Sequence, residues 1–214
     1  MILQYSLRAF LIVGITAAAT LPASAATLTF ESFSGSLSSD DSVSLFDFSV
    51  DTSSRVGIRT LSYGGGLLAN TEVEISPGGF DPILTLFDSN SNFIAFNDDR
   101  DGRIDPTTLS AYDSRINRVL GPGTYTVVVS QFDNFHDQSN GNDPTAGFQQ
   151  RQGQPNFTNG PDFNGCDAGQ FCDTNSDSRT NRWVAEVPEP STILGSGLML
   201  GLLGLLRHCR LRRS

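Results

Sequence analysis

The 214 residues hold 14 arginines, no lysine and 23 acids, a formal net charge of −9. Between residues 26 and 187 nine arginines face 22 acids, so this segment carries −13, which disfavours nucleic acid and anionic lipid head groups as partners. Those 162 residues suit one domain with a sizeable core, and their acids are mostly Asp, which favours turns and calcium loops over helices.

The chain opens with Arg8 as its only charge before residue 30, followed by an apolar run from Ala9 to Leu21. Pro22-Ala23-Ser24-Ala25 then places small residues where a signal peptidase needs them. Residues 1–25 are therefore expected to be a signal helix removed after Ala25. A buried N-terminal helix is the alternative, and it leaves the order of charge, apolar core and cut site without a reason.

From there the pattern is strand and turn. Leu28 to Leu37 opens with Leu28-Thr29-Phe30. In Ser42 to Val50, Val43 and Leu45 share one phase, and Phe46, Phe48 and Val50 the other, a switch that predicts a bulge. Arg55 to Thr60 alternates cleanly, Gly64-Gly65-Gly66 breaks the chain, Thr71 to Ser76 alternates again, and Pro77-Gly78-Gly79 is a turn. Asp81 to Asp88 reads as a strand, Ser89 to Asn92 as a turn and Phe93 to Phe96 as the return strand. After Asp113-Ser114-Arg115-Ile116 and Leu120-Gly121-Pro122-Gly123, a Val-rich strand runs from Tyr125 to Ser130. The apolar run Ile83 to Phe87 predicts strands covered on both faces, and no helical period is sustained between residues 27 and 187. The expected fold is all-β, a β-sandwich of jelly-roll type.

The acid-rich segment Asn97 to Asp105 is the leading candidate site. Counting Asn97 as position 1, Asn97, Asp99, Asp101 and Asp105 fall at positions 1, 3, 5 and 9, with Gly102 at 6. Alternate oxygen ligands around a glycine turn resemble the start of an EF-hand or dockerin calcium loop. Position 12 is Thr108 where such loops carry an acid, so Asp113 or Asp88 is the candidate for the missing carboxylate. A solvated acidic turn is the competing reading.

Residues 132–181 are rich in Gly, Asn, Asp, Gln and Pro, a long irregular connection for a compact domain. Phe132, Phe135, Phe148, Phe157, Phe163 and Phe171 are expected to fasten it to the sandwich, a sugar-binding surface being the other use. Cys166 and Cys172 are expected to form a disulfide in an oxidising compartment. Zinc is the alternative, and it would need His136 and an Asp to complete four ligands. Trp183, in the last strand Thr180 to Val187, is expected in the core.

His136 is the only histidine between residues 26 and 187, and it reads as a surface loop residue. No G-x-S-x-G context, phosphate loop or dinucleotide fingerprint accompanies it, so no catalytic residue is assigned. Paired carboxylates for glycoside hydrolysis stay open, because their spacing is invisible in a sequence.

After Pro188-Glu189-Pro190 comes an apolar run from Ser191 to Leu206, then a cluster with Arg207, Arg210, Arg212 and Arg213. Sixteen helical residues span about 24 Å, short of a bilayer core near 30 Å, and snorkelling arginines can supply the rest. The arginines favour the cytoplasmic side, which leaves the β domain, residues 26–187, outside.

This tripartite end, residues 188–214, resembles the PEP-CTERM sorting signal of bacterial exported proteins. The resemblance implies transient anchoring of helix 191–206 in the inner membrane. It also implies cleavage by the membrane protease exosortase, and an association with exopolysaccharide and biofilm. Residues 81–130, with Asp81 to Asp88, Asn97-Asp98-Asp99 and Pro122-Gly123-Thr124-Tyr125, resemble bacterial pre-peptidase C-terminal domains, compact β-sandwiches in which a D-P-x-L-x-L-x-D strand, an N-D-D loop and a P-x-G-x-Y strand recur, the last matched here one residue short. The whole arrangement looks like the DVUA family of PEP-CTERM proteins, for which the resemblance implies no biochemical activity. The expected protein is an exported, non-catalytic component of the envelope or extracellular matrix, structural, adhesive or polysaccharide-associated. A secreted hydrolase with its site in the 132–181 loop is the alternative.

Overall fold

The computed structural model describes residues 30–188, apart from 141, 142, 146, 149, 150, 164 and 167–170. Residues 1–25, expected to be a signal segment, the run 191–206 expected to enter the membrane, and Glu189 and Pro190 of the expected sorting motif lie outside the described residues.

Twelve strands are described: β1 (Phe30–Ser36), β2 (Val43–Val50), β3 (Ser54–Thr60), β4 (Gly66–Leu67), β5 (Glu74–Ile75), β6 (Pro82–Asp88), β7 (Phe93–Asn97), β8 (Arg115–Leu120), β9 (Gly123–Gln131), β10 (Phe171–Cys172), β11 (Ser178–Arg179) and β12 (Arg182–Pro188). Two four-stranded antiparallel sheets, β1-β12-β3-β8 and β2-β9-β6-β7, face one another, with β4-β5 and β10-β11 as short ribbons. The fold is all-β and sandwich-like. Among the described residues the only helices are three-residue 3-10 turns, none long and apolar enough to cross a membrane.

Strand alternation explains the core. Val56, Ile58, Ile116, Ala185 and Val187 point inward from the first sheet, and Phe46, Phe48, Leu84, Leu86, Val127 and Val129 meet them from the second. Trp183 joins this core, stacked on Phe46 with ring centroids 5.7 Å apart. Opposite it in the register, Gly35 leaves room for the indole, since a Cβ there would stand 2.9 Å from the ring.

The second sheet is covered on its other face too. Phe87 and Val128 point away from the main core and pack against Phe148 of the long loop, with Val43 and Phe93 at the margin. This is why Ile83 to Phe87 is apolar at every position but Thr85: each of these side chains is buried, Thr85 included. At about 1.5–3 kcal/mol per fully buried large apolar side chain, the outer layer is a substantial part of the fold's stability.

The second sheet also corrects the expected bulge in β2. β2 pairs with β9 without a break from Val43 to Val50. The phase switch arises because Phe46, Phe48 and Val50 serve the main core while Val43 serves the outer layer. The one register shift in these sheets lies between Leu86 and Phe87, where β6 pairs with β7.

Candidate acidic site at the end of the second sheet

Three stretches converge where β6 begins and β7 ends. Asp81 immediately precedes β6, and its carbonyl accepts the Phe132 N–H at 2.8 Å. The β6–β7 ladder closes at Leu84 opposite Asn97, so Asp98 and Asp99 continue alongside the start of β6. Asp99 takes a left-handed backbone with φ of 61°. Its N–H donates to Ser114 Oγ at 3.2 Å, and Ser114 Oγ donates in turn to the Asn97 carbonyl at 2.9 Å.

This turn brings one carboxylate oxygen each of Asp81, Asp98 and Asp99 within 4.8 Å of one another. Asp81 is 2% exposed, Asp98 half-buried and Asp99 exposed. One oxygen of Asp81 and one of Asp98 are buried without a hydrogen-bond partner. Among the described residues no arginine forms an ion pair with any of the three.

Their titration follows from that setting. Burial, then the charges of Asp99 and Asp98, hold Asp81 well above the usual carboxylate range. Burial and then Asp99 push Asp98 up to about 7. Burial and then Asp113 raise Asp99. Crowded carboxylates in a poorly solvated place favour proton uptake or a cation.

The structure splits the residues expected to bind calcium together. Asp99 joins the cluster, but Asn97, Asp101 and Asp105 are engaged elsewhere. Asn97 Oδ1 accepts the Arg115 N–H at 2.8 Å, tying β7 to β8 across the sandwich. Asp101 accepts from Arg103 Nε at 2.6 Å, with Arg115 at 3.9 Å. Asp105 accepts from Arg179 at 2.8 Å and from the N–H groups of Thr107 and Thr108. Arginines hold two of the three acids that position counting assigned to a metal, Asp101 and Asp105.

The two carboxylates considered for the missing ligand are also engaged. Asp113 accepts from Thr60 Oγ1 and from the N–H groups of Ser62, Tyr63 and Gly64. Asp88 caps its own hairpin turn through Asn90 and Asn92. Asp81 went unread as a ligand. Its signal in the sequence is the Asp-Pro before a strand whose return strand ends in Asn-Asp-Asp, and only the register aligns the two.

Cys166 and Cys172 are disulfide-bonded, with Cα atoms 5.7 Å apart. This removes both thiolates from the zinc alternative. His136 departs from the expected surface position. Its ring lies against Phe87, Phe93 and Phe148, and burial lowers its pKa, opposed by the charge of Asp137 and by the Asp143 carbonyl as acceptor. It belongs to the outer apolar layer. On the first sheet's side a groove of about 300 Å³ opens among Glu74, Ser76, Thr180 and Arg182.

These features define a two-sheet all-β protein with an acidic corner and a stapled surface loop. No family model matches the chain, and no curated protein matches it. Among solved structures, it is similar to the pre-peptidase C-terminal domain of collagenase from Bacillus anthracis, with 19% identity over 49% of this chain and 79% of that chain and a TM-score of 0.32.

Proposed function

We propose that the chain is an exported, non-catalytic protein of the bacterial cell envelope or extracellular matrix, a structural or adhesive component associated with exopolysaccharide. In this reading, residues 1–25 are removed on export. The segment from Pro188 holds the protein in the inner membrane until an exosortase-type protease cuts near Pro188-Glu189-Pro190. The sandwich, of jelly-roll type, is the exported part, and PEP-CTERM proteins of the DVUA kind are its relatives.

The observation that carries the reading is the Cys166–Cys172 disulfide. Glutathione and thioredoxin keep thiols reduced in the cytosol, so a structural disulfide suits the oxidising side of a membrane. The packing of the loop's described aromatic residues supports a non-catalytic role over the hydrolase alternative. Phe148, Phe157 and Phe163 are buried, and the loop's histidine is packed among aromatic rings. The groove between Glu74 and Arg182 offers a carboxylate, a guanidinium and hydroxyls of the kind that bind sugar hydroxyls.

The test is a glycan array probed with protein purified from its native envelope, beside an Arg182→Ala variant. The reading expects binding to acidic or neutral exopolysaccharide fragments that the variant loses. Release of products from those fragments by the native protein would instead establish the hydrolase.

A further inference from the structure

We propose that Asp81, Asp98 and Asp99 form a calcium site that joins the start of β6 to the turn after β7. The acids alone would not carry this assignment. The second observation is Asp81, whose side chain is 2% exposed, sends one carboxylate oxygen into the cluster, and has an oxygen with no hydrogen-bond partner. A carboxylate so buried and unpaired is costly to retain without a partner. Other buried acids of the same corner are provided for within the protein: Asp105 by Arg179, and Asp113 by four donors from β3 and the turn after it. For Asp81 the described residues provide none, and the nearby charges acting on it are Asp98, Asp99, Asp113 and Asp173, all acidic. What is missing is positive charge.

The donors select the ion. Three carboxylates and no nitrogen or sulfur suit a hard cation. Two oxygens bound to calcium at 2.3–2.6 Å stand at most about 5 Å apart, so oxygens within 4.8 Å of one another can share it with little movement. Magnesium holds its waters more tightly and demands a near-ideal octahedron, which a ligand as buried as Asp81 resists. The exposed Asp99 leaves one side of the site open for waters to complete the shell.

The consequence is a clasp. Asp81 lies one residue from Pro82, which pairs with Gln131 where the long loop leaves the sheet, while Asp99 contacts Ser114 on the way to β8. An ion there would tie the crossing between sheets to the root of the loop. The assignment stands apart from the reading of export: absence of a calcium site would leave that reading untouched. Export would expose the site to the millimolar calcium outside cells, where an affinity of ~10⁻⁴ M suffices.

The test is calorimetric titration of the intact, chelator-treated protein with calcium chloride, with melting followed in parallel. One saturable site per chain is expected, with a melting temperature that rises in calcium. Asp81→Asn should lose both responses. Asp99→Asn, a change at the surface that leaves the fold unburdened, should weaken calcium affinity tenfold or more, while Asp51→Asn, at an exposed residue outside the cluster, should bind as the native chain does. Magnesium should bind at least tenfold more weakly than calcium. No saturable heat with the native chain, or unchanged affinity in Asp99→Asn, would overturn the site; equal affinity for magnesium would overturn the choice of ion.

Discussion

Replacing Arg179 with methionine should loosen the acidic end of the sandwich more than any surface change. The guanidinium is almost wholly buried. It donates to the carbonyls of Gly79 and Tyr63, both at 2.9 Å, and to Asp105 Oδ2 at 2.8 Å, and it lies 3.8 Å from the centre of the Tyr63 ring. Methionine keeps much of the apolar contact and removes every donor. Two carbonyls lose a charged partner and Asp105 loses its cation, although the N–H groups of Thr107 and Thr108 remain. Breaking a buried pair by removing one partner costs about 3–5 kcal/mol. For a domain of this size that lowers the melting temperature by roughly 6–20 °C. Urea denaturation of Arg179→Met, Asp105→Asn and the double variant measures it. The two changes should couple, with the double variant recovering about 1–3 kcal/mol of the summed loss. A single-variant loss under about 1 kcal/mol, or strict additivity, would refute the view that this pair locks the corner.

Other expectations follow from the same geometry. Replacing Cys166 and Cys172 with serine should cost about 2 kcal/mol by the chain-entropy account, and hydrogen exchange should quicken around Thr158, Cys166 and Cys172 while β6 and β9 stay protected. Phe148→Ala, which uncovers Phe87 and Val128, should destabilise by about 3–5 kcal/mol and increase binding of an apolar dye, both read in one denaturation series. Asp98, raised to about 7, binds its proton more tightly folded than unfolded. Its contribution is therefore present below the usual carboxylate range and is lost as pH rises toward 7. In chelator the stability, read from melting, should fall between about pH 4 and pH 7, by at most about 4 kcal/mol and by less for the solvent exposure of Asp98, and Asp98→Asn should flatten that slope. A melting temperature that instead rises over this range in chelator would remove the crowding argument.

Much of the sandwich was legible because strands declare themselves through alternation and turns. Arg55 to Thr60 and Tyr125 to Ser130 lie within β3 and β9, and the largely apolar run Ile83 to Phe87 announced burial on both faces. That the loop's phenylalanines, Phe148 among them, fasten it to the sandwich was legible; which face Phe148 covers was not, because it sits 61 residues after Phe87 in a polar, glycine-rich stretch with no period of its own. The same distance problem misread β2, whose change of phase marks two separate cores rather than a bulge. At the acidic segment, position counting saw ligands at alternate residues but could not see Arg179, which arrives from far along the chain to take Asp105. Nor could it see Asp81, 17 residues before Asp98, which only the β6–β7 register brings alongside. Local spacing reports local geometry, and this site is built across strands.

The reading of the protein as exported and sorted makes a claim about each end of the chain as well as the disulfide, and the mass of the mature chain examines all three. Intact-mass measurement of protein recovered from its native envelope, without reductant, should show a chain beginning after Ala25, ending before Arg207 and lighter by two hydrogen atoms for the Cys166–Cys172 bond. A chain that retains Met1 to Ala25 together with Arg207 to Ser214, and carries two free thiols at Cys166 and Cys172, would contradict it.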